Sequence, residues 1–331
     1  MGRKQAVRSC GFISYEFIPM SGVPQGSNLE SILFTLFVND LSNYLPFCEV
    51  LLFADDVKLY VTVTEERHAL LLQREVQKLH LWSVRNGLQI NLNKCRVISF
   101  YHGLQKISAH YFIAETELDR VDQLRDLGVI MDSSLSFKEQ LKVVVNKCLK
   151  IFGFIRNVTL DFKNASTIIY LYKTLILPIM TYCISIWCPK TENRLKDLIA
   201  IEHKVLRYAS TKTSQPMHFF NHDYTEIRAQ LKVMSLKQII KKIDYLVAFK
   251  IAKKAYNSKE VNDLFTQRLV TYNLRHIREI ESQSVLENYI SNSTTFRLQQ
   301  MWNCLPSEVR SNGELSKFKT SLERFLTRND Q

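Results

Sequence analysis

Apolar and polar positions alternate along the first third of the chain in a pattern typical of short strands and helices packed in layers. Residues 22–26 have the composition of a turn. Ser27 and Glu30 have the spacing of a capping box, which predicts that a helix starts there. One face of this helix is expected to pack against a core, and it consists of Leu29, Ile32, Leu33 and Leu36.

A β-hairpin is predicted next along the chain. Residues 50–54 form an apolar run of strand length, and apolar and polar residues alternate over residues 57–63. Asp55 and Asp56 lie between these two segments. Both aspartates are therefore expected at the tip of the hairpin.

A long helix is predicted to start at Thr64, and Gly87 suits its C-terminal end. Short strands are expected at residues 88–92, 96–101 and 128–131. Up to about residue 135 the pattern is therefore α+β.

The rest of the chain is predicted to be helical. Ser136 and Glu139 form a second capping box, and they lead into a helix with a long apolar face. That face comprises Leu141, Val144, Val145, Cys148, Leu149, Phe152 and Ile155. The change of pattern marks the main domain boundary, and the predicted domains are residues 1–135, 136–210 and 211–331.

A lysine-rich segment lies within the last of these domains. Residues 232–259 contain eight lysines and one acid, Asp244, beside an apolar stripe, which predicts a basic amphipathic helix. The lysines form either a solvated face or a surface that contacts nucleic-acid phosphates. The candidates for such contacts are Lys241, Lys242, Lys253 and Lys254.

An apolar stretch at residues 168–187 is about long enough to span a bilayer. Lys173 and Pro178 lie inside it, and both cost free energy in lipid. A buried helix that ends or kinks before Pro178 is therefore favoured over a membrane span, and no membrane partner is expected.

The charge of the chain is uneven. Its 331 residues are 46% hydrophobic and 23% charged, which excludes the disordered, collagen-like and disulfide-scaffold classes. Residues 1–135 contain 13 basic and 15 acidic residues, whereas residues 136–331 contain 31 and 17 and carry +14. This excess favours a polyanionic partner for the C-terminal part, although a basic face can also serve solubility alone.

Seven cysteines are scattered along a chain that shows no signal peptide, so no disulfide framework is expected. A reducing intracellular compartment, nucleus or cytoplasm, fits best. Cys183 and Cys188 lack further ligands at the spacing that zinc requires, and we interpret them as packing residues.

Asp55 and Asp56 are the strongest candidates for chemistry. Adjacent carboxylates on one tight turn repel each other unless a cation lies between them. Mg²⁺ or Mn²⁺ takes oxygen ligands, and Mg²⁺ typically uses one or two carboxylates together with substrate phosphates. A solvated turn is the alternative, because aspartate is common in turns.

Two ordered sets of motifs carry a family resemblance. The motifs around the aspartates are Ser21-Gly22-Val23-Pro24-Gln25-Gly26-Ser27, Val38-Asn39-Asp40-Leu41 and Phe53-Ala54-Asp55-Asp56. The later motifs are Asn86-Gly87-Leu88-Gln89-Ile90-Asn91, Lys94-Cys95, Leu127-Gly128-Val129 and Trp302-Asn303-Cys304-Leu305-Pro306. Together they resemble the palm and the following segments of reverse transcriptases from non-LTR (LINE-type, jockey-like) retrotransposons, over nearly the whole chain.

The resemblance implies RNA-directed DNA synthesis by a right-hand polymerase that uses two metal ions, an RNA template, a DNA primer and deoxynucleotides. The implied fold is α+β, a partial palm with an antiparallel sheet and helices, followed by a helical thumb and a basic helical C-terminal region. Carried over to this chain, Asp55 is the main metal ligand and Asp56 is its acidic neighbour.

Further site residues follow from the same resemblance. Pro24, Gln25 and Gly26 match the loop beside the nascent base pair and the template. Phe53 matches an aromatic position beside the aspartates, or is a simple core residue. Lys94 matches a lysine that neutralises the leaving pyrophosphate, or is an exposed lysine at the end of a strand.

The chain departs from the family pattern in ways that bear on activity. Family members have a further catalytic aspartate on an earlier palm strand, whereas no aspartate precedes Asp40 here. Glu30 and Ser31 also replace the usual Gly and Pro. A two-metal site without one bridging carboxylate should lose most turnover, so this chain is expected to be inactive or severely impaired. A catalytically inactive nucleic-acid-binding remnant is the alternative function, and a helical protein-binding scaffold explains the motifs least well.

Overall fold

The computed structural model describes residues 4–19, 22–23, 26–101, 107, 109–189, 192–213, 224–265 and 293–328. The chain divides into two compact units, residues 1–124 and 125–331. Strands in the described residues pair two by two, and helices predominate in the second unit. The chain is therefore α+β, as predicted, and the three-domain division stays a prediction.

The first unit consists of short hairpins and three helices. Its elements are β1 (Arg8–Ser9), β2 (Phe12–Ile13), α1 (Glu30–Val38), α2 (Leu41–Tyr44), β3 (Glu49–Phe53), β4 (Asp56–Tyr60), α3 (Glu66–Arg85), a 3₁₀ turn (Leu92–Lys94), β5 (Phe112–Ile113) and β6 (Thr116–Glu117). The pairs β1–β2, β3–β4 and β5–β6 are antiparallel.

Helix α3 ends where the sequence predicts, at Gly87. This glycine has a φ of +67°, a conformation that residues with a Cβ adopt only at a cost. The N–H of Leu88 donates to the carbonyl oxygen of Ser83 at 2.8 Å, and the N–H of Gly87 donates to that of Val84 at 3.1 Å. This double closure is a Schellman motif, which satisfies the last carbonyl groups of the helix.

The strands predicted at residues 88–92 and 96–101 do not form. The first segment runs into the 3₁₀ turn, and the second makes one isolated bridge, between Val97 and Arg120. The Arg120 guanidinium instead donates to the hydroxyl of Ser99 and to the carbonyl oxygen of Ala109. A composition typical of strands did not produce strands here, because a strand also needs a neighbouring strand with which to form a ladder of backbone hydrogen bonds.

The predicted capping box at the start of α1 is wrong. The helix begins at Glu30, and the Ser27 hydroxyl is buried without a hydrogen-bond partner in the described part of the chain. The Glu30 carboxylate accepts a hydrogen bond from the N–H of Gly26 at 2.6 Å instead. The spacing of the two residues fits a capping box, but the N-cap of α1 is Leu29, two residues after Ser27.

The apolar face predicted for α1 is exposed rather than packed. The exposed fractions are 60% for Leu29, 55% for Ile32, 44% for Leu33 and 66% for Leu36. The helix instead directs Val38 into a small cluster with Leu41, Leu45 and Trp82. Periodicity thus identified an apolar face, but not the side of the helix on which the core lies.

The second unit is mainly helical. It contains β7 (Gln123–Asp126, which begins in the first unit), β8 (Val129–Asp132), α4 (Lys138–Val158), α5 (Ala165–Leu171), a π-helix (Tyr172–Ile176), α6 (Leu177–Thr181), α7 (Ile184–Trp187), α8 (Glu192–Ser210), α9 (Thr225–Leu231), α10 (Leu236–Ala252), α11 (Lys259–Asn262), α12 (Thr294–Cys304), α13 (Ser307–Arg310) and α14 (Leu315–Arg328). Strand β8 confirms the strand predicted near residues 128–131.

The apolar stretch at residues 168–187 is divided among α5, the π-helix, α6 and α7. Pro178 has no N–H and its ring would clash with the carbonyl group of residue 174 in a regular helix, so a wider π turn before it relieves the clash. Within the described residues, no helix combines the length and the apolarity needed to cross a bilayer.

Two buried clusters organise the second unit. The inner face predicted for α4 is confirmed, since Leu141, Val144, Cys148 and Ile155 are buried with α5 and α8. Cys183 and Cys188 pack against this cluster as predicted, and all seven cysteines are free. The second cluster joins α10, α12 and α14, and the Phe249 ring stacks on Phe318 with centroids 4.3 Å apart.

The capping box predicted at Ser136 and Glu139 does not form either. Helix α4 begins at Lys138 after Phe137, whose φ is +53°. Asp132 organises this entry, because its carboxylate accepts hydrogen bonds from the N–H groups of Ser134, Ser136 and Phe137. It also accepts from the hydroxyl of Ser136 at 3.0 Å. Burial raises the pKa of Asp132, but these hydrogen bonds outweigh burial and hold it at about 2.

We expect Asp132→Asn to lower the free energy of unfolding by about 1–2 kcal/mol at pH 7, because the charged acceptor of several N–H groups is lost. The folded pKa of about 2 lies below the ordinary 3.8, so the contribution is complete above about pH 4 and disappears as the pH falls through 2. Urea unfolding of both proteins between pH 7 and pH 2.5 checks this. A difference that does not change with pH would contradict an ionised Asp132.

Candidate active site and basic surface

The two aspartates lie at the turn of the β3–β4 hairpin, as predicted. Phe53 pairs with Asp56, so Ala54 and Asp55 form a two-residue turn. Ala54 has a φ of +51°, which costs a residue with a Cβ about 1–3 kcal/mol, and the pairing of β3 with β4 on both sides holds the turn in this conformation. Both aspartates are exposed, so their carboxylates are open to a ligand.

One face of this hairpin packs and the other is open. Val50 and Leu59 are cross-strand partners that pack against the cluster containing Val38 of α1, so hairpin and helix share one core. On the other face, Leu51, Phe53 and Tyr60 are 53%, 61% and 49% exposed. The alternative that Phe53 is a simple core residue is therefore wrong.

The donor set at the turn consists of two carboxylates. Oxygen ligands suit Mg²⁺ or Mn²⁺, so the chemistry of Asp55 and Asp56 fits a hard divalent ion. Across the described residues, no group of three or more His, Cys, Asp or Glu side chains is arranged to hold a metal. The turn can therefore supply two ligands, and the remainder must come from other groups, such as substrate phosphates.

Only part of the loop matched by the resemblance can be placed. Gly26 is exposed with a φ of +77°, and its N–H is engaged by the Glu30 carboxylate. Pro24 and Gln25 lie outside the described residues. The carboxylate of Glu30 thus places a negative charge directly against this loop.

Lys94 lies at the end of the 3₁₀ turn and is exposed, rather than at the end of a strand. In the part of the chain that the structure describes, its side chain makes no ion pair or hydrogen bond with Asp55 or Asp56. The described structure therefore does not link Lys94 to the aspartates, and a contact with a leaving group would form only when substrate is bound.

The lysine-rich segment forms α10, whose start is fixed by a capping box that the sequence analysis did not identify. The Ser235 hydroxyl accepts from the N–H of Gln238, and the Gln238 side chain accepts from the N–H of Ser235. The acid of this segment, Asp244, is buried and pairs with Arg297 of α12 at 3.3 Å. Its role was not visible in the sequence, because the partner lies 53 residues away.

The four candidate lysines do not form one line. Lys242 pairs with Glu323 of α14 at 2.5 Å, so its charge is partly neutralised. Lys241, Lys253 and Lys254 are exposed. Lys241 and Lys253 are 12 residues apart, which corresponds to about 18 Å along a helix. Any phosphate contacts they make would therefore involve separate parts of a nucleic acid.

Residues 7–153 match the family model described as "Reverse transcriptase (RNA-dependent DNA polymerase)". The chain is 26% identical over 259 residues to the RNA-directed DNA polymerase from the mobile element jockey of Drosophila funebris, covering 73% of this chain and 27% of that protein. It is 28% identical over 220 residues to a probable RNA-directed DNA polymerase from the transposon X-element of Drosophila melanogaster, covering 62% and 23%. The chain thus spans about a quarter of the length of these curated relatives. No solved structure matches it.

Proposed function

We propose that this chain is a segment of an RNA-directed DNA polymerase of a jockey-like non-LTR retrotransposon. Residues 7–153 match the reverse transcriptase family model, and the chain is similar to the polymerases of the jockey and X-element transposons. The observation that carries the proposal is the position of Asp55 and Asp56 at the tight turn of the β3–β4 hairpin, within the matched segment. The proposed substrates are an RNA template, a DNA primer and deoxynucleotides.

The proposed metal ligands are Asp55 and Asp56, with Mg²⁺ or Mn²⁺ as the ion. When bound, such ions activate the primer hydroxyl and neutralise charge on the transferred phosphate. The contribution of this chain is to present two carboxylates at a two-residue turn. Their exposure supports the proposal, because phosphates of a substrate can complete the coordination.

The remaining proposed roles concern substrate contacts. Pro24, Gln25 and Gly26 would lie beside the template, and exposed Phe53 offers an aromatic surface next to the aspartates. Lys94 would neutralise the leaving pyrophosphate.

Nucleic-acid contacts in the second unit are proposed for Lys241, Lys253 and Lys254, and to a smaller extent for Lys242, whose ammonium group is shared with Glu323. The charge of +14 on residues 136–331 supports a polyanionic partner. An intracellular location, nucleus or cytoplasm, belongs to the same proposal, because template and deoxynucleotides are available there.

The test is extension of a DNA primer on an RNA template by a version of the chain extended at its N-terminus with any in-frame sequence found upstream in the genome. We expect Mg²⁺-dependent synthesis, and we expect Asp55→Ala to reduce it by about a hundredfold or more, since a charge-stabilising group is lost from the reacting centre. Glu49→Gln is the matched control, because it removes an exposed carboxylate from the far end of the same hairpin. Equal activity of the parent and the Asp55→Ala variant would refute the proposal.

A further inference from the structure

The outer side of α4 carries apolar and cationic side chains in one line. Val143, Lys147, Lys150, Phe154 and Val158 recur every three or four residues, so they share one side of the helix, and we call them the α4 stripe. All five are exposed, with 59% of Phe154 and 48% of Val158 in solvent. The stripe runs for about 22 Å, the helical rise over the 15 steps from Val143 to Val158.

The exposed surface continues into the loop after α4. Leu160 and Phe162 are 62% and 45% exposed. Two side-chain contacts hold this loop. The hydroxyl group of Thr159, which is buried, lies 2.9 Å from the hydroxyl group of Tyr208. The ammonium group of Lys212 donates to the carbonyl oxygen of Leu160 at 2.6 Å. The apolar side chains are therefore held outward on an ordered backbone.

The charge along this surface has one sign. No acid occurs between Glu139 and Asp161, whereas Lys147, Lys150 and Arg156 do occur there. These three cations are exposed, and none makes an ion pair with another residue of the described ranges. A ligand can therefore reach them without displacing an internal partner.

Cations interleaved with exposed aromatic rings match the chemistry of a single nucleic-acid strand. Phosphates pair with Lys and Arg, and unpaired bases stack on aromatic side chains. A duplex fits less well, because its base faces are already stacked inside. A lipid surface also fits less well, since the inner face of α4 is committed to the core and leaves only a narrow apolar line for insertion.

We propose that the α4 stripe, with Phe162 of the following loop, binds single-stranded nucleic acid, with bases stacked on Phe154 and Phe162 and phosphates paired with Lys147 and Lys150. The proposal rests on the proposed polymerase function, which would supply an unpaired template strand as the occupant.

The test measures binding of the full chain to fluorescein-labelled oligoadenylate RNA of about 12 nucleotides, within the range of known single-strand sites. The double variant Phe154→Ala/Phe162→Ala should bind at least about tenfold more weakly, with its charge unchanged. Its affinity for the same strand paired with oligouridylate should change less than twofold. The variant Lys147→Gln/Lys150→Gln should make the plot of log affinity against log salt shallower by about 1.4.

Matched variants separate this surface from general effects. Tyr15→Ala removes an aromatic ring that is 98% exposed in the first unit, and it should leave single-strand binding unchanged. Lys317→Gln/Lys319→Gln removes two exposed positive charges from α14 and should flatten the salt dependence less than the α4 variant. Circular dichroism on heating checks that each variant is folded, which we expect because the substituted side chains are largely in solvent.

Unchanged single-strand affinity of the Phe154→Ala/Phe162→Ala variant would overturn the proposal, as would the absence of single-strand binding by the parent chain at low salt. Equal losses for single strand and duplex would also overturn it. Binding to anionic phosphatidylserine vesicles that depends on the two phenylalanines, without effect on RNA, would assign the surface to a membrane instead. None of these outcomes affects the proposed polymerase function, which fails separately if the extended version makes no DNA on RNA.

Discussion

Arg228→Met is expected to lower the free energy of unfolding by about 3–5 kcal/mol, because it leaves the carboxylate of Glu202 buried without its cation. Glu202 of α8 is 1% exposed and Arg228 of α9 forms a forked pair with it, through Nε at 3.3 Å and Nη2 at 3.1 Å. The Glu202 carboxylate also accepts a hydrogen bond from the N–H of Leu236 at 3.1 Å, so it attaches the first residue of α10 to α8.

The pH dependence gives this prediction a second readout. Burial raises the pKa of Glu202, and the hydrogen bonds and charge of Arg228 act in the opposite direction. Without Arg228 the pKa rises further, so the folded variant binds a proton that the unfolded chain releases. Its free energy of unfolding should therefore fall as the pH rises, and the loss relative to the parent should be larger at pH 8 than at pH 5.

Two variants control for the removal of charge. Lys242→Gln breaks the more exposed pair with Glu323 and should cost less than about 1 kcal/mol. Glu202→Leu/Arg228→Met removes both charges and should recover most of the loss, because no unpaired ion remains. Urea unfolding followed by circular dichroism measures all of them. A loss below about 1 kcal/mol for Arg228→Met, or an equal loss in the double variant, would contradict the account.

The buried ion pairs show where sequence analysis reached its limit. Glu202 and Arg228 are 26 residues apart and occupy different helices, so their spacing carried no signal. Asp244 stood out in the sequence as one acid among eight lysines, but this pattern indicates a surface, whereas the side chain is 3% exposed. Whether an acidic residue is buried depends on its partner in the folded structure, and a single sequence does not reveal which distant residues form a pair.

Local features were predicted where one short segment determines them. The β3–β4 hairpin depends on strand alternation and a two-residue turn, and the end of α3 depends on Gly87. Capping was less predictable. Ser27 and Ser136 have the spacing of a capping box but do not cap, whereas Ser235 does. The difference lies in the path of the backbone before each helix. Before α4 this path is set by the Asp132 carboxylate, which accepts hydrogen bonds from the N–H groups of Ser136 and Phe137.

Our last prediction concerns catalysis by the 331-residue chain, for which we expect little or no extension of a DNA primer on an RNA template. Asp55 and Asp56 are neighbours on one turn, so their carboxylates approach an ion from one side only. The described residues offer no third metal-ligating side chain near enough to form a cluster with them. The carboxylate of Glu30, the first residue of α1, already accepts a hydrogen bond from the N–H of Gly26 at 2.6 Å.

The cost of an incomplete site is large, because catalysis of phosphoryl transfer depends on positioning and on stabilisation of developing charge. Losing one such stabilising group reduces turnover by about a hundred- to a thousandfold, and the described residues place no opposing ligand beside Asp55 and Asp56. We therefore expect extension by this chain to be at least about a thousandfold slower than by the extended version, in Mg²⁺ and in Mn²⁺.

The assay compares the chain, its Asp55→Ala variant and its Glu49→Gln variant on one RNA template with a labelled DNA primer, at enzyme concentrations that saturate binding. Trace synthesis that is equal in all three proteins would reflect contamination and would agree with the prediction. Robust synthesis that Asp55→Ala abolishes and Glu49→Gln preserves would refute it, since two carboxylates on one turn would then suffice. In that case the third ligand must come from the substrate phosphates or from residues outside the described ranges, and a charge-preserving scan of the acids in the first unit would identify it.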